Sequence, residues 1–221
     1  MTKQQFTLAG EDLMKIFHCM LEAYGPQEWW PGETEFEVMI GAVLTQNTAW
    51  PNVEQAIGNL KQADIFSVDA LLDAPQDEVA QLIHPSGYFN IKADRLRQFC
   101  RFLQEQGGEQ ALRKLKTARL RKLLLSVKGV GPETADDILL YAFQRPVFVI
   151  DAYTRRIFSR LGMAIGDEPY EVLRMGFESA LESDADLFNE YHALIVCHAK
   201  CFCNKKPKCA DCPLAGQCTI P

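Results

Sequence analysis

Residues 124–136 read LLSVKGVGPETAD. Apolar residues at helical spacing lie on both sides of Gly129-Val130-Gly131, which predicts two helices joined by a tight turn. The glycines permit positive φ and leave backbone N–H groups uncovered, and Pro132 suits the first turn of the second helix. The start of that helix would present free N–H groups and a positive dipole end to an anion. A DNA phosphate fits such a site without any base contact, so the stretch predicts sequence-independent DNA binding.

A basic run precedes this turn. Between positions 112 and 128 there are seven positive side chains and no acidic one. They are Arg113, Lys114, Lys116, Arg119, Arg121, Lys122 and Lys128. The run is either a solvated helix face or a surface that faces phosphates. A lone Gly-x-Gly indicates only a helix cap and turn, but the apolar flanks, the basic run and Asp136 together favour phosphate binding.

Length and composition are those of an ordinary globular protein. The 221 residues, with 48% hydrophobic and 24% charged side chains, fit one or two domains with a sizeable core. The net charge of −6 argues against a protein that coats nucleic acid by bulk charge, but it can hide a local basic patch. No apolar run reaches the roughly 18 residues that a membrane span needs. The first residues lack the apolar core of a signal peptide, so we expect a cytoplasmic protein with no membrane partner.

The remainder of the chain reads as helices. Asp12 is expected to cap a first helix that ends at Gly25-Pro26, and Asp151 is expected to begin another after an extended stretch at 147–150. No internal repeat and no strong strand pair is evident. The predicted fold class is therefore all-α.

The hairpin and the segment QRPVFVID, residues 144–151, together resemble the endonuclease III superfamily of helix-hairpin-helix DNA glycosylases. The likeness runs from about Phe36 to Cys218. It implies a two-lobed fold, with a helical barrel over residues 31–142 that ends in the helix-hairpin-helix at about 119–143. Residues 1–30 together with 143–221 would form the second, iron-sulfur lobe, and the cleft between the lobes would hold an extruded base. The resemblance places Asp151 at the position of the essential aspartate.

Two positions bear on the reaction. Bifunctional members of the superfamily carry a lysine two residues beyond the last hairpin glycine, and this lysine cleaves the strand through a Schiff base. Glu133 stands at that position, and a glutamate cannot form an imine, so the resemblance implies a monofunctional hydrolase. Asp151 would stabilise the oxocarbenium-like sugar or accept a proton from the attacking water. Its structural alternative is an ordinary helix N-cap.

Three further segments resemble the 3-methyladenine glycosylase branch: EWWP at 28–31, IGAVLTQNTAW at 40–50 and PSGYFNIKA at 85–93. The resemblance implies that Trp30 and Trp50 sandwich the extruded base, with Trp29 beside them. An alkylated purine is cationic, and tryptophan faces attract cations. The alternatives are a packed tryptophan pair on a surface loop and, for Trp50, a core residue at a helix end.

The same resemblance assigns the DNA contacts. Because the target base lies inside the duplex, its nucleotide must be rotated out. Gln46 would fill the gap that is left, and Tyr88 would wedge into the opposite strand. Gln46 is alternatively a polar residue at a helix end. The remaining DNA-binding residues are assigned to the hairpin: Lys128, Gly129, Val130, Gly131 and Thr134.

Cysteines are concentrated at the end of the chain. Six of the eight lie in the last 25 residues, a distribution more typical of a metal site than of disulfides in a cytosolic protein. Cys203, Cys209, Cys212 and Cys218 form a compact set over residues 203–218 that suits either zinc or a 4Fe-4S cluster. The resemblance implies the 4Fe-4S cluster, with Cys201 as a competitor for the first ligand position. Four lysines nearby would hold this loop against the DNA backbone.

We therefore expect a monomeric DNA N-glycosylase for base excision repair, acting at the nucleoid of a bacterial-type cell. Its partner would be double-stranded DNA that contains a damaged base, most readily an alkylated purine such as 3-methyladenine. The alternatives are an endonuclease III-like glycosylase for oxidised or mismatched bases, and a non-catalytic protein that binds DNA damage through the hairpin.

Overall fold

The computed structural model describes residues 8–29 and 32–219. These residues form two compact units, one made of 8–29 with 144–219 and the other of 32–143. All regular structure in the described ranges is helical, which confirms the all-α prediction. None of the helices described is long and apolar enough to cross a membrane.

The unit of residues 32–143 contains most of the helices. They are α2 (Glu35–Leu44), α3 (Trp50–Gln62), α4 (Val68–Asp73), α5 (Gln76–Leu82), α6 (Phe89–Glu105), α7 (Glu109–Arg113), α8 (Thr117–Leu124) and α9 (Pro132–Asp137). A 3₁₀ turn spans His84–Ser86, and a π-helical turn, Ile138–Ala142, directly continues α9.

Helix α2 lies at the centre of this unit because it is apolar on nearly every side. Thr34 caps its first turn by accepting a hydrogen bond from the backbone N–H of Glu37 at 3.1 Å. Seven of its ten residues are buried, and the helix packs against α3, α6, α9 and the π-helical turn. A helix that is hydrophobic all round belongs in a core, so α2 supports the loops that follow it.

The other unit contains α1 (Gly10–Tyr24), α10 (Ala152–Arg160), α11 (Tyr170–Ala180) and α12 (Ala185–Cys201), with a last 3₁₀ turn at Ala215–Gln217. Aromatic rings fill its core: Phe148 stacks on Phe177 with ring centroids 4.3 Å apart, and the Tyr191 hydroxyl donates to the Leu13 carbonyl at 2.6 Å. These contacts join α1, α11 and α12 to the segment that precedes α10.

Two local expectations have different outcomes in this unit. Asp12 does not cap α1, because the helix begins at Gly10 with Ala9 in the N-cap position, so Asp12 already lies in the first turn. The stretch 147–150, which we expect to be extended, belongs to no helix or strand of the described residues. Side chains of α11 satisfy part of its backbone instead, since the N–H of Phe148 donates to Glu178 Oε1 at 3.0 Å.

Candidate functional site

The hairpin joins α8 to α9 through residues with different surroundings. Gly129 has φ +94°, whereas Gly131 has φ −90°, so only the first glycine uses the left-handed region that the sequence allowed for both. A Cβ atom on Gly129 would lie 2.6 Å from Cγ of Arg95, but a Cβ atom on Gly131 would meet nothing within 4 Å. Val130 is buried between them. The turn therefore needs Gly129 for its own fold, while Gly131 is open to an approaching ligand.

Two members of the basic run, Arg121 and Arg113, make contacts within the protein. Arg121 forms a bidentate ion pair with the fully buried Asp136, through distances of 2.7 and 3.0 Å, and this pair links α8 to α9. Arg113 bonds Glu35 and the carbonyl of Ala142. The sequence could not show these contacts, because in both cases the partner lies on another helix. Most of the other basic side chains, Lys128 included, are exposed.

Gln46 connects two loops of this unit. It lies in the turn after α2, and its Nε2 donates to the Gly129 carbonyl at 2.9 Å and to the Thr134 hydroxyl at 3.0 Å. Its Oε1 accepts a hydrogen bond from Arg95. The structure thus brings three of the predicted DNA-binding residues together at the hairpin.

Tyr88 projects from the surface at the beginning of α6. It has φ +48° at the N-cap of α6, and 68% of the residue is exposed. Ile91, one turn further along, is 55% exposed. Large apolar side chains exposed this far are candidates for insertion between bases or for contact with a partner.

Trp50 begins α3 and is half-buried, with its ring packed against Gly41. It lines an open groove of about 380 Å³ with Glu33, Glu37, Glu54 and Lys61 among its neighbours. Lys61 bonds Glu37 at 2.9 Å and therefore neutralises part of the acidic charge. An aromatic ring beside carboxylates is a suitable environment for a cation. Trp30, the other predicted sandwich residue, lies outside the described residues.

Asp151 occupies the N-cap of α10. Its Oδ1 accepts hydrogen bonds from the backbone N–H of Thr154 at 2.6 Å and from the Thr154 hydroxyl at 2.8 Å. Its Oδ2 lies 3.6 Å from Nε2 of His192 on α12. Burial acts to raise the pKa of Asp151, but the nearby imidazole of His192 and the two hydrogen bonds from Thr154 hold that pKa below its ordinary value. Asp151 is thus an N-cap whose lowered pKa favours the ionised form.

His192 is a site residue that the sequence analysis missed. It is 4% exposed, and its ring stacks on Trp29 with centroids 5.9 Å apart and an interplanar angle of 20°. Trp29, His192 and Asp151 therefore form a continuous row within one unit. A single histidine in the middle of an apolar helix carries no local signal of such a role, so only its neighbours in space identify it.

The four predicted cysteine ligands surround one cavity of about 410 Å³ in the same unit. Its lining includes Cys203, Cys209, Cys212 and Cys218, but neither Cys197 nor Cys201. Cys201 is instead the exposed last residue of α12. Among the described residues, no three His, Cys, Asp or Glu side chains are close enough to bind a single metal ion. The thiols therefore line a space and do not converge on a point.

Polar groups also approach these sulfur atoms. A guanidinium nitrogen of Arg160 donates to Cys203 Sγ at 3.2 Å, and Nε2 of His198 lies 3.8 Å from Cys212 Sγ. The other ring nitrogen of His198 shares a 2.7 Å hydrogen bond with the Tyr24 hydroxyl. Four soft thiol donors around a sizeable cavity, with hydrogen-bond donors directed at the sulfurs, fit the chemistry of an iron-sulfur cluster.

Known proteins include clear relatives of this chain. Residues 40–182 match the model of the HhH-GPD superfamily of base excision DNA repair proteins. A protein of Methanocaldococcus jannaschii, provisionally named as a DNA repair glycosylase, is 47% identical over 211 residues, which cover 94% of this chain and 96% of the relative. Endonuclease III of Thermotoga maritima is 29% identical over 83% of this chain and 82% of its own.

Two solved structures are also similar to this chain. The 3-methyladenine DNA glycosylase MagIII of H. pylori, bound to 1,N6-ethenoadenine, superposes with a TM-score of 0.74 at 29% identity, over 87% of this chain and 98% of that one. A non-covalent complex of endonuclease III with DNA has a TM-score of 0.83 at 20% identity, over 96% of both chains. The second likeness concerns the fold alone.

Proposed function

The chain belongs to the HhH-GPD superfamily of base excision DNA repair proteins and is a DNA glycosylase; we propose that its substrate is an alkylated purine such as 3-methyladenine in duplex DNA. In this proposal it hydrolyses the N-glycosidic bond without cutting the strand, and it leaves an abasic site. The observation that carries the proposal is the row of Trp29, His192 and Asp151, in which the His192 ring stacks on Trp29 and its Nε2 lies 3.6 Å from the carboxylate.

The ionised state of Asp151 favours a substrate whose base leaves easily. A purine alkylated at N3 or N7 is positively charged, so it departs with little help from a general acid. A carboxylate held below its ordinary pKa cannot supply a proton near neutral pH, but it can stabilise positive charge that develops on the sugar. The charge of the base also suits tryptophan faces, where the attraction is about 0.5–2 kcal/mol.

The two oxygens of Asp151 have separate tasks in this mechanism. Oδ1 is occupied by Thr154 and fixes the carboxylate at the start of α10. Oδ2 is then the oxygen that faces the sugar or the attacking water. Either role requires the carboxylate to be ionised, and His192 supports that state.

Extrusion of the base would use the loops of the other unit. The hairpin around Gly131 would hold a phosphate, and Tyr88 would enter the stack to compensate part of the few kcal/mol that unstacking costs. Gln46 would exchange its contacts with Gly129 and Thr134 for the base left without a partner. None of these contacts reads a base sequence, as suits an enzyme that searches for damage.

Strand cleavage is not expected. Glu133, the second residue of α9, is exposed and stands where bifunctional relatives of the superfamily carry the lysine nucleophile. A carboxylate cannot form the imine that strand cleavage by β-elimination requires.

We further propose that Cys203, Cys209, Cys212 and Cys218 hold a 4Fe-4S cluster. The cavity of about 410 Å³ supports a cluster better than a single zinc ion, whose four thiolates converge at about 2.3 Å. When bound, the cluster would order the loop and have no part in hydrolysis. Lys205, Lys206 and Lys208 are exposed on that loop, and they would give DNA affinity that falls with salt.

The relationship to Thermotoga maritima endonuclease III supports a second candidate, a glycosylase for oxidised or mismatched bases. Base release decides between the two. Duplex DNA treated with a methylating agent is incubated with the native protein, with Asp151→Asn and with Asp167→Asn, an exposed aspartate of the same unit. Asparagine can still accept the Thr154 hydrogen bonds, so Asp151→Asn is expected to fold.

We expect 3-methyladenine from the native protein and from Asp167→Asn, at least 100-fold less from Asp151→Asn, and strand breaks only after alkali. If the native protein releases no methylated base but acts on oxidised or mismatched DNA, the second candidate replaces the first.

A further inference from the structure

Lys92 is a buried lysine near the beginning of α6 that the proposed reaction does not use. Its side chain is fully enclosed, with the residue 1% exposed. Its Nζ donates to the carbonyl oxygen of Leu44 at 2.8 Å and to that of Ser86 at 2.6 Å. Lysine is rarely enclosed in this way, because removing the ammonium group from water is costly. Two short hydrogen bonds to main-chain carbonyls offset part of that cost.

Both carbonyls belong to residues that precede, in the chain, the predicted DNA contacts Gln46 and Tyr88 by two positions. Leu44 is the last residue of α2, and the turn that follows it, residues 45–49, contains Gln46. Ser86 ends the 3₁₀ turn that leads through Gly87 to the exposed Tyr88. A single ammonium group therefore ties the two loops to each other and to α6.

Arg95, one helical turn further along α6, contacts both the loop of Gln46 and a third loop, the hairpin. Its guanidinium donates to Oε1 of Gln46. Its aliphatic part lies against the hairpin, because a Cβ atom on Gly129 would come within 2.6 Å of Arg95 Cγ. Gln46 completes the connection through its hydrogen bond to the Gly129 carbonyl.

We propose that Lys92 and Arg95 are positioning residues that hold three loops, residues 45–49, 84–88 and 125–131, in the arrangement that inserts side chains into DNA. This inference rests on the proposed function, since it takes these loops as the DNA-facing ones. Lys92 sets the distance between the loops of Gln46 and Tyr88, and Arg95 sets the hairpin against them. Neither side chain needs to touch DNA.

Arg97 provides a matched control on the same helix. Its guanidinium also donates to two main-chain carbonyls, those of Leu72 and Ala74, which lie at the end of α4. None of the three loops begins there. Lys92→Met and Arg97→Met therefore remove the same kind of contact from α6, but only the first releases DNA-facing loops.

The test measures insertion into DNA directly. A duplex carries a tetrahydrofuran abasic analogue opposite 2-aminopurine, whose fluorescence reports how the unpaired base is stacked. Saturating native protein is expected to change this fluorescence. In Lys92→Met the amplitude of this fluorescence change should be at least fivefold smaller than in native protein. In Arg97→Met it should stay within twofold of the native amplitude, even if both variants lose similar stability. Equal amplitudes in Lys92→Met and native protein, or equal losses in both variants, would overturn the inference.

Arg95→Met keeps the experiment decisive if Lys92→Met does not fold. Arg95 is only half-buried, and its removal leaves both Lys92 hydrogen bonds in place. At least a threefold loss of amplitude supports the inference, and an unchanged amplitude refutes it.

Base release separates this inference from the proposed function. With methylated DNA, Lys92→Met should be at least tenfold slower than native protein on duplex but within twofold on single strands, where no stack has to be opened. Equal slowing on both substrates would indicate a merely structural role and would count against the proposal. A native protein that alters the fluorescence but releases no methylated base would refute the substrate and leave the role of Lys92 standing.

Discussion

Nε2 of His192 lies 3.6 Å from Oδ2 of Asp151, while Thr154 occupies the other carboxylate oxygen. Thr154 on α10 thus fixes one oxygen of this side chain, while His192 on α12 lies near the other. The carboxylate is 13% exposed, and its neighbours hold its pKa below the ordinary value, which favours the charged form. A glycosylase that stabilises a cationic sugar needs this state.

Removing His192 should therefore shift the pH dependence of base release. In His192→Phe the ring can still stack on Trp29, but the polar imidazole edge that faces Asp151 at 3.6 Å is lost. Burial then dominates and raises the pKa of Asp151, so activity should disappear at a higher pH as the solution is acidified. The measurement is kcat between pH 4 and 8, with His18→Phe, an exposed position of the same unit, as the control. An unshifted acid limb would mean that His192 does not hold the charge on Asp151.

The two hairpin glycines should respond differently to alanine. Gly129→Ala places a side chain at φ +94° and against Arg95, so the free energy of unfolding should fall by about 1–2 kcal/mol from the backbone alone. Gly131→Ala meets no neighbour and should unfold like the native protein. Its DNA affinity at fixed salt should nevertheless fall at least fivefold, because the methyl group keeps a phosphate from the backbone. Native affinity in Gly131→Ala would exclude phosphate binding at that glycine.

The cysteine loop predicts a specific metal content. Purified native protein should contain about four iron and four sulfide ions per chain, as a 4Fe-4S cluster requires. Cys203→Ala should lose most of the iron, whereas Cys201→Ala should keep it, because only Cys203 lines the cavity. Metal and sulfide analysis checks both statements. One zinc per chain, or iron lost from Cys201→Ala but not from Cys203→Ala, would contradict the assignment.

A lysine in place of Glu133 should give the protein lyase activity. The native protein is expected to give no covalent complex with DNA under borohydride reduction, because it forms no imine. Glu133→Lys should be trapped on damaged duplex and should produce some strand breaks without alkali. Glu133→Gln serves as the control that removes the charge without adding an amine. Trapping of the native protein would show that another amine acts.

The pKa of Lys92 makes a prediction about stability. Burial and, to a lesser extent, Arg95 lower that pKa from 10.5 to about 8. The folded chain therefore releases the proton near pH 8, while the unfolded chain keeps it until about 10.5. Between these values the unfolded state binds more protons, so this lysine makes the fold more stable as the pH rises. The free energy of unfolding of native protein minus that of Lys92→Met should increase from pH 8 to 10.5, and a constant difference would contradict the shift.

The parts of this protein that could be predicted from sequence are local ones. Helices follow from apolar spacing, and the hairpin follows from two glycines and a proline within four positions. The cysteine set can be recognised from the spacing of four soft ligands alone. Asp151 marks a helix start because its own side chain can cap the next turn. In each case the informative residues are close in the chain, so their conformational preferences can be read without a tertiary structure.

Contacts between distant segments could not be predicted in this way. Arg121 belongs to the basic run in the sequence, but in the structure it pairs with the buried Asp136. Neither His192 nor Lys92 carries a sequence signal that separates it from an ordinary helix residue. Their roles depend on which polar atoms the packed helices bring within hydrogen-bond distance. That choice is made by the burial of many apolar side chains at once, whereas a turn or a cap is determined by a few neighbouring residues.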